Sequence, residues 1–206
     1  MKKINFDHLA CSPLLPEVRE AMIPFLGEEI GNPLSQHAWG EKPAQAVEEA
    51  RESVARLIHA DPEEILFTSC GSEANNLAVK GIALAHSRRG KHILASPVEH
   101  HSVLHPLKGL EKQGFEVSWL PVDPHGRVDP EEVRKRVRPD TILITVLSAS
   151  NEIGTLQPVA GIGEIARREL RHAVTRAARG SGHCPCVRLG SGRPGRRLRR
   201  RWRRTR

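Results

Sequence analysis

The chain has 206 residues, which suffices for one domain or for one domain with an appendage. Its formal charge of +8 is unevenly distributed: residues 1–170 hold 19 basic and 24 acidic residues, whereas residues 171–206 hold 13 arginines and no acid. No apolar run approaches the roughly 18 residues of a membrane span, and the first residues lack the apolar stretch of a signal peptide. We therefore expect a mildly acidic cytoplasmic domain followed by a basic tail, and no membrane partner.

Helical and strand-like segments alternate through the first 170 residues. Apolar residues recur at helical spacing over residues 18–25, 47–58, 74–85 and 103–110, and shorter helices are indicated at 131–137 and from 161 onward. Gly114 is expected to end the helix that begins near residue 103. Strand-like runs lie at 65–68, 92–95, 116–120 and 141–147, and the last of these is almost wholly apolar, as in a strand covered on both faces. This alternation predicts an α/β fold with a mostly parallel sheet flanked by helices.

The periodic pattern stops at Arg171. The sequence from there is rich in Arg, Gly, Pro and Ser, and the last eleven residues contain eight arginines. We interpret residues 1–170 as one domain and residues 171–206 as a disordered, solvated tail. Two alternatives remain open: an arm that binds nucleic acid non-specifically, and translation in a shifted reading frame, which the abrupt change in composition suggests.

Cysteine and histidine do not suggest a disulfide framework or a metal site. The four cysteines have no framework spacing for a chain of this length, so free thiols are expected (Cys11, Cys70, Cys184 and Cys186). His183 lies close to two of them, but in the aperiodic segment and without convincing ligand spacing. No metal ligand is assigned.

A stretch of small residues, FTSCGSEANN at 67–76, lies between a predicted strand and a predicted helix. Small residues allow a sharp turn, after which backbone N–H groups at the helix N-terminus can bind an anion. Ser72 can add its hydroxyl to a phosphate site or can simply cap the helix. The residues alone leave both interpretations open.

Two further polar motifs follow predicted strands. Residues 98–102, VEHHS, place His100 and His101 at a strand's carboxyl end, where α/β sheets bind ligands. An imidazole there can stack on an aromatic cofactor, although a surface histidine pair is the alternative. Residues 148–158, SASNEIGTLQP, follow the most apolar strand and carry polar side chains, including Asn151, that can meet a ligand.

Taken in order, FTSCGSEANN, VEHHSVL and NEIGTLQP resemble the cysteine desulfurases, enzymes of the class V aminotransferase fold that use pyridoxal 5′-phosphate (PLP). GNPLSQHAWG at 31–40 and the stretch at 7–13 are similar to the opening of that family. The resemblance covers roughly residues 3–168. It implies the large-domain fold of PLP-dependent transferases, incomplete in this chain, and L-cysteine as substrate.

The resemblance also implies residue roles. Gly71 and Ser72 would hold the PLP phosphate, His100 would stack on the pyridine ring, and Asn151 would donate to the phenolic oxygen. The sequence departs from the family at Cys70, where glycine is usual, and at Ser72, where threonine is usual. His8 and Leu9 replace the family's Asn-Ala. A cysteine side chain can crowd a tight phosphate turn.

The family's reacting groups have no counterpart here. The family has an aspartate for the pyridinium nitrogen, a lysine that links to the cofactor and a distant nucleophilic cysteine. In this chain no acid follows Glu169 and no lysine follows Lys135. We therefore assign no catalytic residue and expect a truncated or frameshifted, catalytically incomplete chain without covalently attached PLP.

The resemblance implies the family's wider biology as well. A complete desulfurase converts L-cysteine to L-alanine and passes persulfide sulfur to an acceptor protein for iron–sulfur cluster or thio-cofactor assembly, usually as a homodimer. Two other interpretations stay open. One is another class V enzyme, such as a cysteine lyase or an aminotransferase. The other is a non-catalytic protein that dimerises, or that binds nucleic acid through its arginine-rich tail.

Overall fold

A computed structural model describes residue 4, residues 12–169 and residues 175–176. The chain divides into two compact units, residues 1–66 and residues 67–206. The predicted disordered tail lies outside the described residues except at positions 175–176. The opening stretch that includes His8, Leu9 and Cys11 also lies outside them. No helix in the described part of the chain is both long and apolar enough to cross a bilayer.

The first unit is helical. Helix α1 (Pro16–Met22) continues into a 3-10 turn (Ile23–Leu26), and after a loop comes α2 (Ala38–Ile58), followed by a second 3-10 turn (Pro62–Glu64). Pro16 opens α1 at a position where its missing N–H costs nothing. The helix predicted over 18–25 is confirmed as far as Met22, beyond which the 3-10 turn replaces it, and none of the residues of α1 is buried.

The segment at 31–40 depends on two close backbone approaches. A Cβ on Gly31 would lie 1.8 Å from the carbonyl oxygen of Trp39, and a Cβ on Gly40 would lie 2.2 Å from that of Ser35. Both positions therefore require glycine, since real Cβ atoms do not come this close to backbone oxygen. Close backbone contacts thus explain the glycines at the two ends of the GNPLSQHAWG motif.

The second unit contains a parallel sheet. Its strands are β1 (His92–Ala95), β2 (Glu116–Trp119), β3 (Thr141–Thr145) and β4 (Thr175–Arg176), in the spatial order β2-β1-β3-β4. All three strand pairings are parallel, which confirms the predicted α/β class. β4 falls in the segment where the sequence shows no strand period. Its pairing with β3 is made by backbone groups, which every residue carries whatever its side chain.

Helices cover both faces of this sheet. They are α3 (Gly71–His86), α4 (His101–Glu111), α5 (Pro130–Arg136) and α6 (Val159–Glu169). Alternate residues of β1 belong to different cores: Ile93 and Ala95 pack with α3 and α4, whereas Leu94 packs with α5 and α6. This period of two is the signature of a strand buried on both faces. The second unit therefore has three layers, helix on sheet on helix.

The turn after α4 is a Schellman motif. Gly114 has a φ of 83°, its N–H donates to the Glu111 carbonyl at 3.0 Å, and the Phe115 N–H donates to the Leu110 carbonyl at 3.1 Å. A left-handed residue at this position favours glycine. The sequence prediction that Gly114 ends this helix is confirmed.

The predicted strand at 65–68 is wrong. Ile65 is buried, but Leu66 and Phe67 are 51% and 45% exposed, and residues 65–68 form no strand. A strand needs a neighbouring strand to pair with, and in the described part of the chain residues 65–68 form no strand pairing. The motif that begins at Phe67 therefore follows an irregular segment and not a strand.

Candidate functional site

The first element of the site is the turn into α3. Cys70 is fully extended (φ −162°, ψ 170°) and is the N-cap residue, although its own side chain makes no geometric capping hydrogen bond. Ser69 stabilises the turn, because its amide and its hydroxyl both donate to Glu73 Oε2, at 2.6 and 2.7 Å. Ser72 lies inside the first turn of α3, so the interpretation of Ser72 as the cap is wrong.

The electrostatics of this turn favour negative charge. The backbone N–H of Glu73 is the main cause that lowers the pKa of the exposed Cys70 thiol, and the Ser69 hydroxyl and the Ser72 N–H add to it, whereas desolvation and the negative charge of the Glu73 carboxylate oppose the shift without reversing it. Amide groups that stabilise a thiolate can stabilise a phosphate in the same way. A Cβ placed on Gly71 would meet nothing within 4 Å, so open space lies next to this glycine. The turn therefore has the chemistry of an anion site.

The second element is His100, which begins α4. It is the N-cap residue, and its Nδ1 accepts the Ser102 N–H at 3.2 Å. The Ser102 hydroxyl lies 2.8 Å from the same nitrogen and accepts a hydrogen bond from Asn75 Nδ2 at 2.5 Å. Since Asn75 belongs to α3, this chain of contacts connects His100 to the helix that starts at Gly71.

His101 points to a different set of neighbours. Its ring centroid lies 6.1 Å from that of His100 and 5.6 Å from that of His105, which is one helical turn further along α4. His101 and His105 are both exposed. The described residues contain no group of three side chains that could hold a metal ion. The surface-pair interpretation therefore suits His101 better than it suits His100.

The third element is the loop that carries Asn151. Ala149 and Leu156 form an antiparallel bridge at its base, and Gly154 adopts a φ of 72° near its tip. The buried side chain of Gln157 joins this loop to the neighbouring turn at 123–128, since its Nε2 donates to the Gly126 carbonyl at 2.6 Å and its Oε1 accepts the Val128 N–H at 2.9 Å. Asn151 itself is exposed.

Two of these elements follow neighbouring parallel strands. His100 comes after β1 and Asn151 comes after β3, so both belong to the carboxyl edge of the sheet. Buried Glu99, next to His100, lies 3.5 Å from Thr145 Oγ1 at the end of β3. The structure thus joins His100 to the first turns of α3 and to the end of β3. The hydrogen bonds of the Asn151 loop run to the turn at 123–128.

Sequence reasoning missed three residues of this region, Asn75, Ser102 and Gln157. Each lies inside a motif that the sequence analysis singled out, so the motifs contained the signal. Their side-chain partners are 27 to 31 positions away along the chain. Only the folded arrangement shows which partner each side chain finds.

A family match to known proteins covers the region that holds these three elements. The family model described as aminotransferase class-V matches residues 4–186. This range includes all four residues predicted to hold the cofactor and extends beyond the predicted domain boundary at residue 170. The boundary itself stays a prediction.

The chain is similar to curated cysteine desulfurases. It is 49% identical over 184 residues to cysteine desulfurase IscS of Dictyoglomus turgidum, an alignment covering 89% of this chain and 47% of that protein. It is 47% identical to the IscS of Methanosarcina thermophila, covering 89% of this chain and 46% of that protein. The chain therefore spans about half the length of these relatives.

Solved structures give the same result. A NifS-like protein aligns with a TM-score of 0.77 at 37% identity, covering 81% of this chain and 46% of that one. A structure described as SspA in complex with cysteine aligns with a TM-score of 0.78 at 38% identity, covering 84% of this chain and 50% of that one. At these identities, the likeness extends beyond the general α/β layering.

Proposed function

The chain belongs to the class V aminotransferase family, and on that premise we propose that it is the cofactor-binding part of a PLP-dependent cysteine desulfurase. The observation that supports this most directly is the arrangement at the start of α3. There an anion-stabilising turn is joined to His100 through Asn75 and Ser102. The similarity to cysteine desulfurases covers the same residues.

The residues present fit a phosphorylated aromatic cofactor. Open space lies next to Gly71, and the amides of the first turn of α3 favour negative charge. In the proposal, these amides and the Ser72 hydroxyl hold the phosphate, the exposed ring of His100 supplies a stacking face, and the Asn151 amide donates to the phenolic oxygen. Bound PLP would withdraw electrons from the α-carbon of an amino-acid substrate.

The proposal extends to the properties of the whole protein. L-cysteine would be the substrate, and the similarity to a structure described as a complex with cysteine supports that choice. A homodimer, a sulfur-acceptor protein, a role in iron–sulfur or thio-cofactor assembly and a cytoplasmic location belong to the same proposal. This chain by itself would hold PLP without a covalent bond, because none of its lysines, the last of which is Lys135, stands at the family's Schiff-base position.

A comparison of two ligands tests the cofactor site. We expect PLP to bind the purified chain and pyridoxal, which lacks the phosphate, to bind more weakly in equilibrium dialysis. Ser72→Ala should weaken PLP by about 10- to 100-fold, because a hydrogen bond to a charged group contributes about 1.5–3 kcal/mol, and should leave pyridoxal unchanged. His100→Ala should weaken both ligands, since the stacking face does not depend on the phosphate.

The matched control is Ser87→Ala, which removes an exposed serine hydroxyl at the other end of α3. Its affinity for both ligands should equal that of the unmodified chain. Equal binding of PLP and pyridoxal, or no binding of either, would refute the cofactor site.

A chemical test addresses covalent attachment. We expect borohydride reduction of the chain mixed with PLP, followed by peptide mapping, to give no stoichiometric adduct. We also expect no sulfide release from L-cysteine. A single stoichiometric lysine adduct together with sulfide release would show that the chain holds reacting groups that its sequence pattern does not reveal.

A further inference from the structure

We propose that Asn75 and Ser102 are positioning residues that hold the neutral His100 ring in its Nε2–H tautomer, so that the ring offers a proton donor at its outer edge. This inference rests on the proposed function for its consequence, since it assigns a chemical role to the ring that stacks on the cofactor. The tautomer itself can be measured on the chain alone.

The backbone of Ser102 constrains the protonation of His100 Nδ1. Its N–H can only donate, and it lies 3.2 Å from His100 Nδ1. This bond favours the tautomer in which Nδ1 offers its lone pair and the single proton of the neutral ring lies on Nε2. The bond is built into the start of α4, where the side chain of the N-cap residue accepts from the second helical residue.

The side chain of Asn75 adds a second constraint, because it orients the hydroxyl of Ser102. Its Nδ2 group is a donor only, and it contacts Ser102 Oγ at 2.5 Å. Once the serine oxygen accepts this bond, the serine proton is directed to its other neighbour, His100 Nδ1, at 2.8 Å. Each bond in such a chain polarises the next and strengthens it. Two donors thus converge on Nδ1.

These two bonds fix the orientation of the His100 ring. With Nδ1 occupied by two donors, the imidazole cannot rotate by half a turn without losing both bonds. Nε2–H is then the group that the exposed ring presents to a ligand. A donor at this edge suits an oxygen acceptor, such as the carboxylate of an amino-acid substrate. Asn75 lies on α3 and His100 at the start of α4, so the ring orientation depends on the packing of these two helices.

The test is a long-range ¹⁵N–¹H correlation NMR spectrum of the ¹⁵N-labelled full chain at pH 8, recorded without PLP. The variant His100→Gln identifies the ring signals by their loss. We expect the unmodified chain to show the Nε2–H pattern for His100, with Nδ1 shifted as an unprotonated nitrogen. A predominantly Nδ1–H ring, or an equal mixture of tautomers, would overturn the proposal even if every variant failed to fold.

Three variants then separate the contributions. Ser102→Ala should produce several-fold more of the Nδ1–H tautomer, and Ser102→Thr, which keeps the hydroxyl, should restore the original pattern. Asn75→Asp replaces the donor with an acceptor, draws the serine proton away from Nδ1 and should also raise the Nδ1–H fraction. Ser87→Ala is the control and should change nothing. An unchanged His100 pattern in both Ser102→Ala and Asn75→Asp would remove the assigned role of the two residues.

These outcomes are independent of cofactor binding. If His100 shows the expected tautomer but neither PLP nor pyridoxal binds, then the proposed function fails and the positioning network stands. If PLP binds but the ring shows the other tautomer, then the network fails and the proposed function stands.

Discussion

His92 gives the stability of the sheet a specific pH dependence. The residue is 1% exposed at the start of β1, and its two ring nitrogens lie 2.7 Å from Thr141 Oγ1 on β3 and 2.9 Å from Ser118 Oγ on β2. One histidine thus joins three adjacent strands. Burial is the main cause that lowers the pKa of His92, and the positive charge of Arg138 lowers it further. Asp140 and Glu116 oppose the shift without reversing it.

The direction in which stability changes with pH follows from this lowered pKa. The unfolded chain takes up the proton near the ordinary histidine pKa of about 6.5, whereas the folded chain resists it. Stability is therefore highest above about pH 6.5 and falls as the pH drops towards the lower pKa of the folded state. One proton changes the free energy of unfolding by at most about 1.4 kcal/mol per pH unit. Between pH 7.5 and 5.5, His92 should therefore cost at most about 1.4 kcal/mol of stability.

Urea unfolding followed by circular dichroism at the two pH values measures this. The matched variant is His92→Gln, which keeps an amide near the position of Nε2 but cannot titrate. We expect the unmodified chain to lose more stability than the variant on acidification, by at most about 1.4 kcal/mol, while the carboxylates and other histidines contribute alike to both. An equal loss in the two proteins would show that His92 titrates normally in the folded chain, and the reasoning from burial would be wrong.

Two further pairs of variants test packing by urea unfolding. Leu107→Ala empties a fully buried position and should cost about 2–5 kcal/mol, whereas Leu84→Ala, at a residue 53% exposed on α3, should stay within about 0.5 kcal/mol; equal losses would contradict the assigned core. Gly90→Ala places a Cβ 2.1 Å from the Asp140 carbonyl and should destabilise the chain. Gly81→Ala meets nothing within 4 Å and should stabilise α3 by up to about 1 kcal/mol; the opposite order would refute the close approach.

The sequence determined the helices and strands whose apolar residues follow a regular pattern. The strands at 92–95 and 141–145 were predictable because an apolar run covered on both faces needs no partner to be recognised. Helix α4 was predictable from its apolar spacing and from the glycine that ends it. The family resemblance came from short motifs in a fixed order, and that order is visible in the sequence without any knowledge of the fold.

The tertiary structure decided what depends on a partner far along the chain. The apolar residues at 65–68 suit a strand, yet within the described part of the chain they pair with no strand and the segment is irregular. Residues 175–176 lack a strand pattern, yet they pair with β3 through backbone groups that every residue carries.

The site divides in the same way. The sequence identifies His100 as a candidate because a histidine follows a strand. Only the fold brings Asn75 within 2.5 Å of Ser102 and so fixes which nitrogen of that histidine accepts. A side-chain hydrogen bond between residues 27 positions apart leaves no periodic trace in the sequence, because its geometry is set by how α3 packs on α4.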